Sequence, residues 1–483
     1  MTTFSIFAII RLLFERRFRM RLPNVIVVVI DALRKDYAKL LEEKLRRLGF
    51  ISYDNVIAPS PWTTPSHASL FTGLYPLYHG AHETRTKKCL DVKLRRKNLL
   101  ISMELSGMGY ETYLMSANPF VSPDFGFVGF DYYYQPSYLA YLSVNLLKHD
   151  ESVFLARIKD KYKIRSRLGL LKFLLMNKRY GTATRLVMNF FAKKVILKAM
   201  LKFFKKWPKD KGSTEIIKKV SKINFNTTEP KFIFINFMEV HEPHELNLLN
   251  EISANKLRRI DLLMGNINQR LINNWRICYH NQVRYIVEKI LSLMSVLKRK
   301  KIFKDSLIII TSDHGELLGE HGKLEHGVFL FDELLRIPLL IKYPDGVKVK
   351  INESRNNSRW ISLTKLKAHI MEVLYKREAT PKSFFSDTVF AESFGSHISL
   401  NNVTNDLERR FVENIEKYRI AIYHKQFKGI FNVDDWQFEE IVSYTPALPV
   451  NSKIKTILKE KIINYLRNAI KIKTIREKFL RDP

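Results

Sequence analysis

Three short apolar runs of this chain end on groups that can hold a cation or move a proton. Asp31 follows Asn24-Val-Ile-Val-Val-Val-Ile30, Glu239 and His241 follow Lys231 to Phe237, and Asp313 and His314 follow Ser306 to Thr311. Taken singly, each is an ordinary loop acid, helix cap or satisfied histidine. Three strand ends of the same kind argue for a shared site. Two carboxylates, an imidazole and a nearby hydroxyl make a donor set for one divalent ion. Thr63 supplies the hydroxyl, in Ser60-Pro-Trp-Thr-Thr-Pro-Ser-His-Ala-Ser-Leu-Phe-Thr-Gly73. That stretch reads as a helix start, with Thr63 or Thr64 as the cap, Pro65 first in the helix and Gly73 closing it. Such a terminus attracts anions through its dipole and free N–H groups. A threonine hydroxyl is a weak nucleophile until a divalent ion activates it. The expected metal ligands are Asp31, Thr63, Asp313 and His314, around one ion: Mn, Mg, Zn or Ca, with Mn or Zn favoured by the imidazole. Thr63, His241 and His326 are the expected catalytic groups. The two histidines suit work at nonbridging oxygens or the leaving group because imidazole titrates near neutrality. His67, Glu239 and Lys323 are candidate substrate contacts, and His244 and His321 weaker ones.

The elements that must position these groups follow from the pattern. Asn24 to Ile30, Thr112 to Met115, Lys231 to Phe237 and Ser306 to Thr311 are near-continuous apolar runs, the pattern of strands buried on both faces of a parallel sheet. Between them lie helical stretches such as Asp36 to Leu48 and Tyr279 to Arg299. This alternation predicts an α/β fold, a mainly parallel sheet sandwiched by helices, with the chemistry beyond the carboxyl ends of the strands. The expected division is an N-terminal basic and apolar helix (1–22), a catalytic domain (23–360), a C-terminal α+β subdomain (361–450) and a basic helical tail (451–483). A basic helical insertion is expected at about 138–222. In the subdomain, Tyr418 to Tyr423 and Gly429 to Val433 read as an antiparallel pair.

Composition bounds the partners. Of 483 residues, 81 are Lys or Arg and 48 Asp or Glu, a formal net charge of +33, which favours anionic ligands. Residues 161–210 carry 15 Lys or Arg against a single acid, Asp210. In Asn189 to Lys206, Lys194, Lys198, Lys202 and Lys205 or Lys206 form one stripe, the pattern of a helix on an anionic membrane or of a solvated face. The two cysteines, Cys89 and Cys278, make no disulfide framework or zinc motif, so a reducing, cytoplasmic setting is expected. No uncharged apolar run reaches the roughly 18 residues of a membrane span, and peripheral membrane contact is a secondary expectation. No nucleic-acid module is visible, so no specific nucleic-acid partner is expected.

The motifs as a whole resemble the sulfatase family of the alkaline phosphatase superfamily. The resemblance runs through Asn24-Val-Ile-Val-Val-Val-Ile-Asp-Ala-Leu-Arg34, Thr63-Thr-Pro-Ser-His-Ala-Ser-Leu-Phe-Thr-Gly-Leu-Tyr-Pro76, Asn118-Pro-Phe and Phe234 to Pro243. It continues through Thr311-Ser-Asp-His-Gly-Glu-Leu-Leu-Gly-Glu-His-Gly322, His326-Gly and Leu335-Arg-Ile-Pro338. It implies an alkaline phosphatase-like fold and a metal site, and the departures bear on the chemistry. Sulfatases carry Cys or Ser two residues before the motif proline and oxidise it to formylglycine; here that position is Thr63. His67 replaces the motif arginine, Ala32 a second aspartate, and Glu239-Val-His241 the family's Asp-x-His. Threonine at the nucleophile position is similar to the phosphodiesterases and the phosphoglycerol or phosphoethanolamine transferases. The second metal of the phosphodiesterases, held by one Asp and two His, is not spelled out, and the resemblance casts His241 and His326 as substrate contacts. What it implies is a metal-dependent hydrolase or phosphotransferase acting through Thr63 on an anionic phosphate ester, glycan- or lipid-linked. The alternatives are sulfate-ester hydrolysis without formylglycine, or a non-catalytic relative that holds anionic glycans or lipids.

Overall fold

The structure is a computed structural model that describes residues 22–84, 88, 91–96, 99–137, 208–244, 258–350, 359–396, 403 and 405–479, with parts of 154–191. Segment 1–21 and the basic stripe expected within Asn189 to Lys206 lie outside the described residues.

Seven strands form the central sheet: β1 (Asn24–Ile30), β2 (Ile51–Tyr53), β3 (Glu111–Ser116), β4 (Tyr132–Tyr134), β5 (Lys231–Phe237), β6 (Ser306–Thr311) and β7 (Leu339–Lys342). Their order is β2-β7-β6-β1-β5-β3-β4, and β7 runs antiparallel to both its neighbours. The four expected strands are β1, β3, β5 and β6, adjacent and parallel. The alternation of their side chains shows why their sequences are unbroken apolar runs. Val25, Val27 and Val29 enter one core with Phe232, Phe234, Leu307 and Ile309. Ile26, Val28 and Ile30 enter the other with Ile233, Ile235, Ile308 and Ile310. Both faces are dry, so the interior positions of β1 and β6, Val25 to Ile30 and Leu307 to Ile310, are all apolar.

Helices cover the two faces. On one side lie α1 (Lys39–Arg46), α3 (Ser213–Val220) and α4 (Gln269–Arg299), through residues such as Leu41, Ile216 and Ile286. On the other lie α2 (Thr63–Thr72) and α5 (Leu366–Lys376), through Phe71 and Ile370. α4 starts well before Tyr279, because Asn268 caps it by accepting a hydrogen bond from the Leu271 N–H and because Leu271 and Trp275 are buried. The result is an α/β sandwich with a mostly parallel sheet.

A second sheet holds β8 (Thr388–Ser393), β9 (Arg419–His424), β10 (Phe427–Asn432) and β11 (Gln437–Ser443), all antiparallel in that order. The anticipated pair is β9 and β10. Val389, Ala391 and Tyr423 pack onto the main core, while Ile420, Ile422 and Phe431 meet Leu458 and Ile462 of the tail helix α6 (Ser452–Phe479). No helix among the described residues is long and apolar enough to cross a membrane.

Candidate active site

The register decides where the polar residues converge. Ile30 pairs with Phe237 and Val29 with Thr311, so β1, β5 and β6 end level. Asp31, the 238–244 loop and Asp313-His314 therefore leave the sheet side by side. The next strand, β3, ends at Ser116 opposite Asn236 and delivers Asn118.

Ala32 adopts φ 60, a left-handed conformation that costs an alanine on the order of 1 kcal/mol. Two contacts hold it there: its N–H donates to Asp313 Oδ1 at 3.2 Å and its carbonyl accepts from Tyr279 Oη at 2.7 Å. Arg34 clamps the other loop, donating to the Glu316 carbonyl at 3.1 Å and to Glu320 at 2.9 Å. Gly315 is needed for close approach, since a Cβ there would lie 2.0 Å from the Glu333 carbonyl oxygen.

Within this frame Asp31, Asp313 and His314 are fully buried and face one another. Asp313 Oδ2 lies 3.4 Å and Asp31 Oδ1 3.6 Å from His314 Nε2, and Thr63 Oγ1 is 3.4 Å from the same nitrogen. His314 Nδ1 donates to the Gly315 carbonyl at 2.8 Å, so Nε2 presents its lone pair inward. Asp31 Oδ1 and Asp313 Oδ2 are buried and accept no hydrogen bond, an expensive condition for a carboxylate. Burial, with the opposed carboxylate Asp313, pushes Asp31 up to about 6; burial pushes Asp313 up to about 7. These residues fit a cation. Ligands at about 2.1 Å from a tetrahedral ion stand about 3.4 Å apart, the spacing found here, and the two orphaned oxygens are the atoms it would satisfy.

α2 begins two residues earlier than its sequence suggests. Trp62 is the extended N-cap, without a side-chain cap bond, Thr63 is the first helical residue and Gly73 closes the helix at φ 74. Neither threonine caps, because the Thr63 hydroxyl is turned toward His314 and toward Asn118, whose Nδ2 lies 3.4 Å away. The same Asn118 nitrogen donates to Asp31 Oδ2 at 2.7 Å.

The histidines divide into two sets. His241 Nε2 is 4.0 Å from Asp31 Oδ1, and its Nδ1 lies 2.8 Å from the Glu242 carbonyl. Burial lowers its pKa, but the Glu242 and Asp31 carboxylates outweigh that and hold it above the usual histidine value. The His326 ring stacks on His314 at 4.4 Å. His67 lies behind Thr63, with its Nδ1 also 3.4 Å from Asp313 Oδ2. Its Nδ1 donates to the Thr63 carbonyl at 3.0 Å and its Nε2 accepts from Asn236 at 3.2 Å. Burial draws it down to about 3, so it stays neutral. His244 sits edge-on to Trp275 in the interior, and His321 is exposed and stacked on Phe331.

Glu239 and Lys323 fall outside this cluster. Glu239 Oε1 accepts from the backbone N–H groups of Lys211 and Ser213, both at 2.9 Å. Lys211 Nζ returns to the carbonyls of Glu239 and His241 and to Gln282; Glu239 thus anchors the start of α3. Lys323 rests its ammonium 5.2 Å from the Phe329 ring and 5.9 Å from Phe411. Asn118, Asn236, Glu242 and Glu316 enter the site without a role assigned from sequence. Their signal was present: Asn118 and Glu242 lie just past buried strands, and Glu316 is in the Asp313 loop.

The fold is an α/β sandwich with acids, histidines and a helix-start hydroxyl gathered at the carboxyl edge of its parallel sheet. The chain matches the Sulfatase family over residues 23–374; it belongs to that family, whose members are hydrolases that generally bind a divalent metal. Among curated proteins, the choline-sulfatase of Rhizobium meliloti (strain 1021) is 33% identical over 78 residues, 16% of this chain and 15% of that protein. That match thus spans well under two thirds of the relative. Among solved structures, a 2-O GAG sulfatase superposes with TM-score 0.60 at 12% identity over 93% of this chain and 92% of the other. The phosphonate monoester hydrolase of Silicibacter pomeroyi gives 0.56 at 14% identity over 92% and 96%. At these identities the likeness is one of fold.

Proposed function

We propose that the protein cleaves phosphate esters, or transfers their phosphoryl group, with the Thr63 hydroxyl as nucleophile. One observation carries the reading: a threonine, which cannot be oxidised to the formylglycine aldehyde, holds its Oγ1 3.4 Å from His314 Nε2 at the first residue of α2. Asp31, Asp313, His314 and Thr63 would hold the divalent ion. When bound, that ion lowers the pKa of the alcohol and draws charge from the ester oxygen.

The rest falls to the chain's own groups. The first-turn N–H groups of α2 favour an anion in front of Thr63. Asn118 fixes the Asp31 carboxylate and presents its second N–H toward the Thr63 oxygen. His67 is a positioning residue: it pins the Thr63 carbonyl from behind and, staying neutral, adds no charge. His241, held above its usual pKa, keeps a proton to give to the leaving alcohol as the bond to phosphorus breaks. Oγ1 thereby gains a phosphoryl group, which water or a second alcohol removes. His326 stands beside His314 to face the equatorial oxygens. The net charge of +33 supports an anionic substrate, glycan- or lipid-linked.

The experiment compares Thr63→Ala and Thr63→Ser on aryl phosphate mono- and diesters and aryl sulfates with Mn2+. Thr63→Ala is expected to lose about 10³-fold or more in kcat, and Thr63→Ser to retain turnover. Undiminished turnover by Thr63→Ala sinks the nucleophile assignment. A kcat/KM for sulfates above that for phosphates would instead favour sulfate-ester hydrolysis without formylglycine.

A further inference from the structure

Lys211 carries an ammonium almost wholly out of water, at 2% exposure, and all of its donors are taken. Its Nζ donates to the Glu239 carbonyl at 3.0 Å, to Gln282 Oε1 at 3.0 Å and to the His241 carbonyl. An ammonium has three N–H groups, so the count closes. These acceptors are two backbone carbonyls and an amide, not a carboxylate. Burial lowers the pKa of Lys211, against the pull of the Glu239, Glu242 and Asp31 carboxylates. Holding a full charge on neutral acceptors in a dry place is costly. What it gains is grip.

Both carbonyls belong to the loop that follows β5. Bonds at Glu239 and His241 fix the planes of the Glu239–Val240 and His241–Glu242 peptides, so the backbone that carries His241 is held on both sides. The His241 ring leaves from that stretch, with Nε2 4.0 Å from Asp31 Oδ1 and Nδ1 2.8 Å from the Glu242 carbonyl. The other end of the grip is fixed in turn. Gln282 lies on α4, and its Nε2 donates to the Pro208 carbonyl at 3.4 Å. The Lys211 and Ser213 N–H groups close on Glu239 Oε1, both at 2.9 Å. Asp210 accepts from the Gly212 N–H at 2.9 Å and from Tyr285 Oη of α4 at 2.8 Å. Segment 208–213, which opens α3, is thereby knitted to α4, and Lys211 carries that fixed position into the His241 loop.

We propose that Lys211 is a positioning residue: its ammonium holds the Glu239–His241 backbone so that the His241 imidazole is delivered to the leaving group. Through segment 208–213 it ties that delivery to the seating of α3 against α4. The proposal rests on the reading of His241 as the group that protonates the leaving alcohol. Lys211 acts through His241 and takes no part in bond making. Only the charged form serves, because a neutral amine has two N–H groups and cannot satisfy three acceptors.

The test is Lys211→Met, similar in length but without donors, in the full chain with Mn2+. If Lys211 acts through His241, the loss grows with the basicity of the leaving alcohol. On alkyl phosphates kcat is expected to fall about 10–100-fold with KM little changed, and on 4-nitrophenyl phosphate, whose leaving group needs no proton, to stay within about threefold. On alkyl esters the Lys211→Met/His241→Ala double variant should be no slower than His241→Ala alone. The His241 ring 1H–15N resonances, assigned by their loss in His241→Ala, should shift in Lys211→Met, with Tm measured alongside. Lys211→Gln, which keeps two N–H donors but no charge, takes the place of Lys211→Met if that variant does not fold. Equal losses on both kinds of leaving group, additive losses in the double variant, or unmoved His241 resonances overturn the proposal. If His241→Ala is undiminished on alkyl esters, the acid reading fails, and the positioning of His241 by Lys211 then stands or falls on the resonances alone.

Discussion

The catalytic end and the C-terminal subdomain both bury acids, and they treat them in opposite ways. In the subdomain, Glu392 is fully buried and pushed up to about 7 by that burial, yet Tyr418 Oη donates to its Oε1 and the Leu77 N–H to its Oε2. Asp332, half-buried on the segment that faces this sheet, receives Lys428 at 2.7 Å, Tyr423 at 2.8 Å and Tyr444 at 2.7 Å, and these donors hold it below the usual carboxylate value. Those acids are mortar: Glu392 ties the second sheet to the Leu77 segment after the nucleophile helix, and Asp332 ties that sheet to the segment before β7. Asp31 and Asp313 are buried as deeply, and each leaves one oxygen without a donor. Burial alone therefore says little about function. An oxygen left unsatisfied in a dry place marks where a ligand belongs.

Removing an acid from the catalytic end and a donor from the subdomain should break this contrast cleanly. Asp313→Asn is expected to cost about 10³-fold or more in kcat/KM and to lose one bound ion, read by kinetics and metal analysis. The same change should raise Tm of the metal-free protein at pH 8, because it removes a buried charge whose Oδ2 accepts no hydrogen bond. Asn118→Ala leaves the ligands in place but frees Asp31, and should weaken metal affinity about 10–100-fold by titration.

The pH dependence of the metal-free protein sharpens the comparison. Asp31 has a folded pKa of about 6 against 3.8 for the exposed group, so ionising it disfavours the folded state. Its contribution is intact below about pH 4 and declines as pH rises through 6, by about 3 kcal/mol for Asp31 alone. Thermal melts should therefore show Tm falling from pH 5 to pH 8 without metal, and Mn2+ should restore it. A metal-free Tm that rises over that interval would contradict the orphaned-acid reading. The smallest effect is expected from Tyr418→Phe, which removes a donor from Glu392. It should lower stability by about 1–2 kcal/mol and leave kcat within about twofold.

Much of this was legible in the chain, and the reasons for the exceptions are physical. β1, β5 and β6 announce themselves because strands dry on both faces are mostly unbroken apolar runs. Their parallel alignment then brings Asp31 and Asp313-His314 together. The direction of a side chain is another matter. His67 and Glu239 have the types a substrate site uses, yet one turns behind Thr63 and the other clasps the N–H groups of Lys211 and Ser213. Asn118 and Glu242 looked like ordinary loop residues because the partners that give them a task, Asp31 and His326, are distant in the chain.

By itself the sequence determined the sandwich, the strand-end acids and histidines, and a threonine where an aldehyde precursor would stand, since all of these are properties of local pattern and residue type. Only the tertiary structure decided which oxygens were left without donors, which histidines face inward and which lock the backbone, and that a buried lysine grips the His241 loop. Those properties depend on contacts between residues far apart in the chain, and no local pattern encodes them.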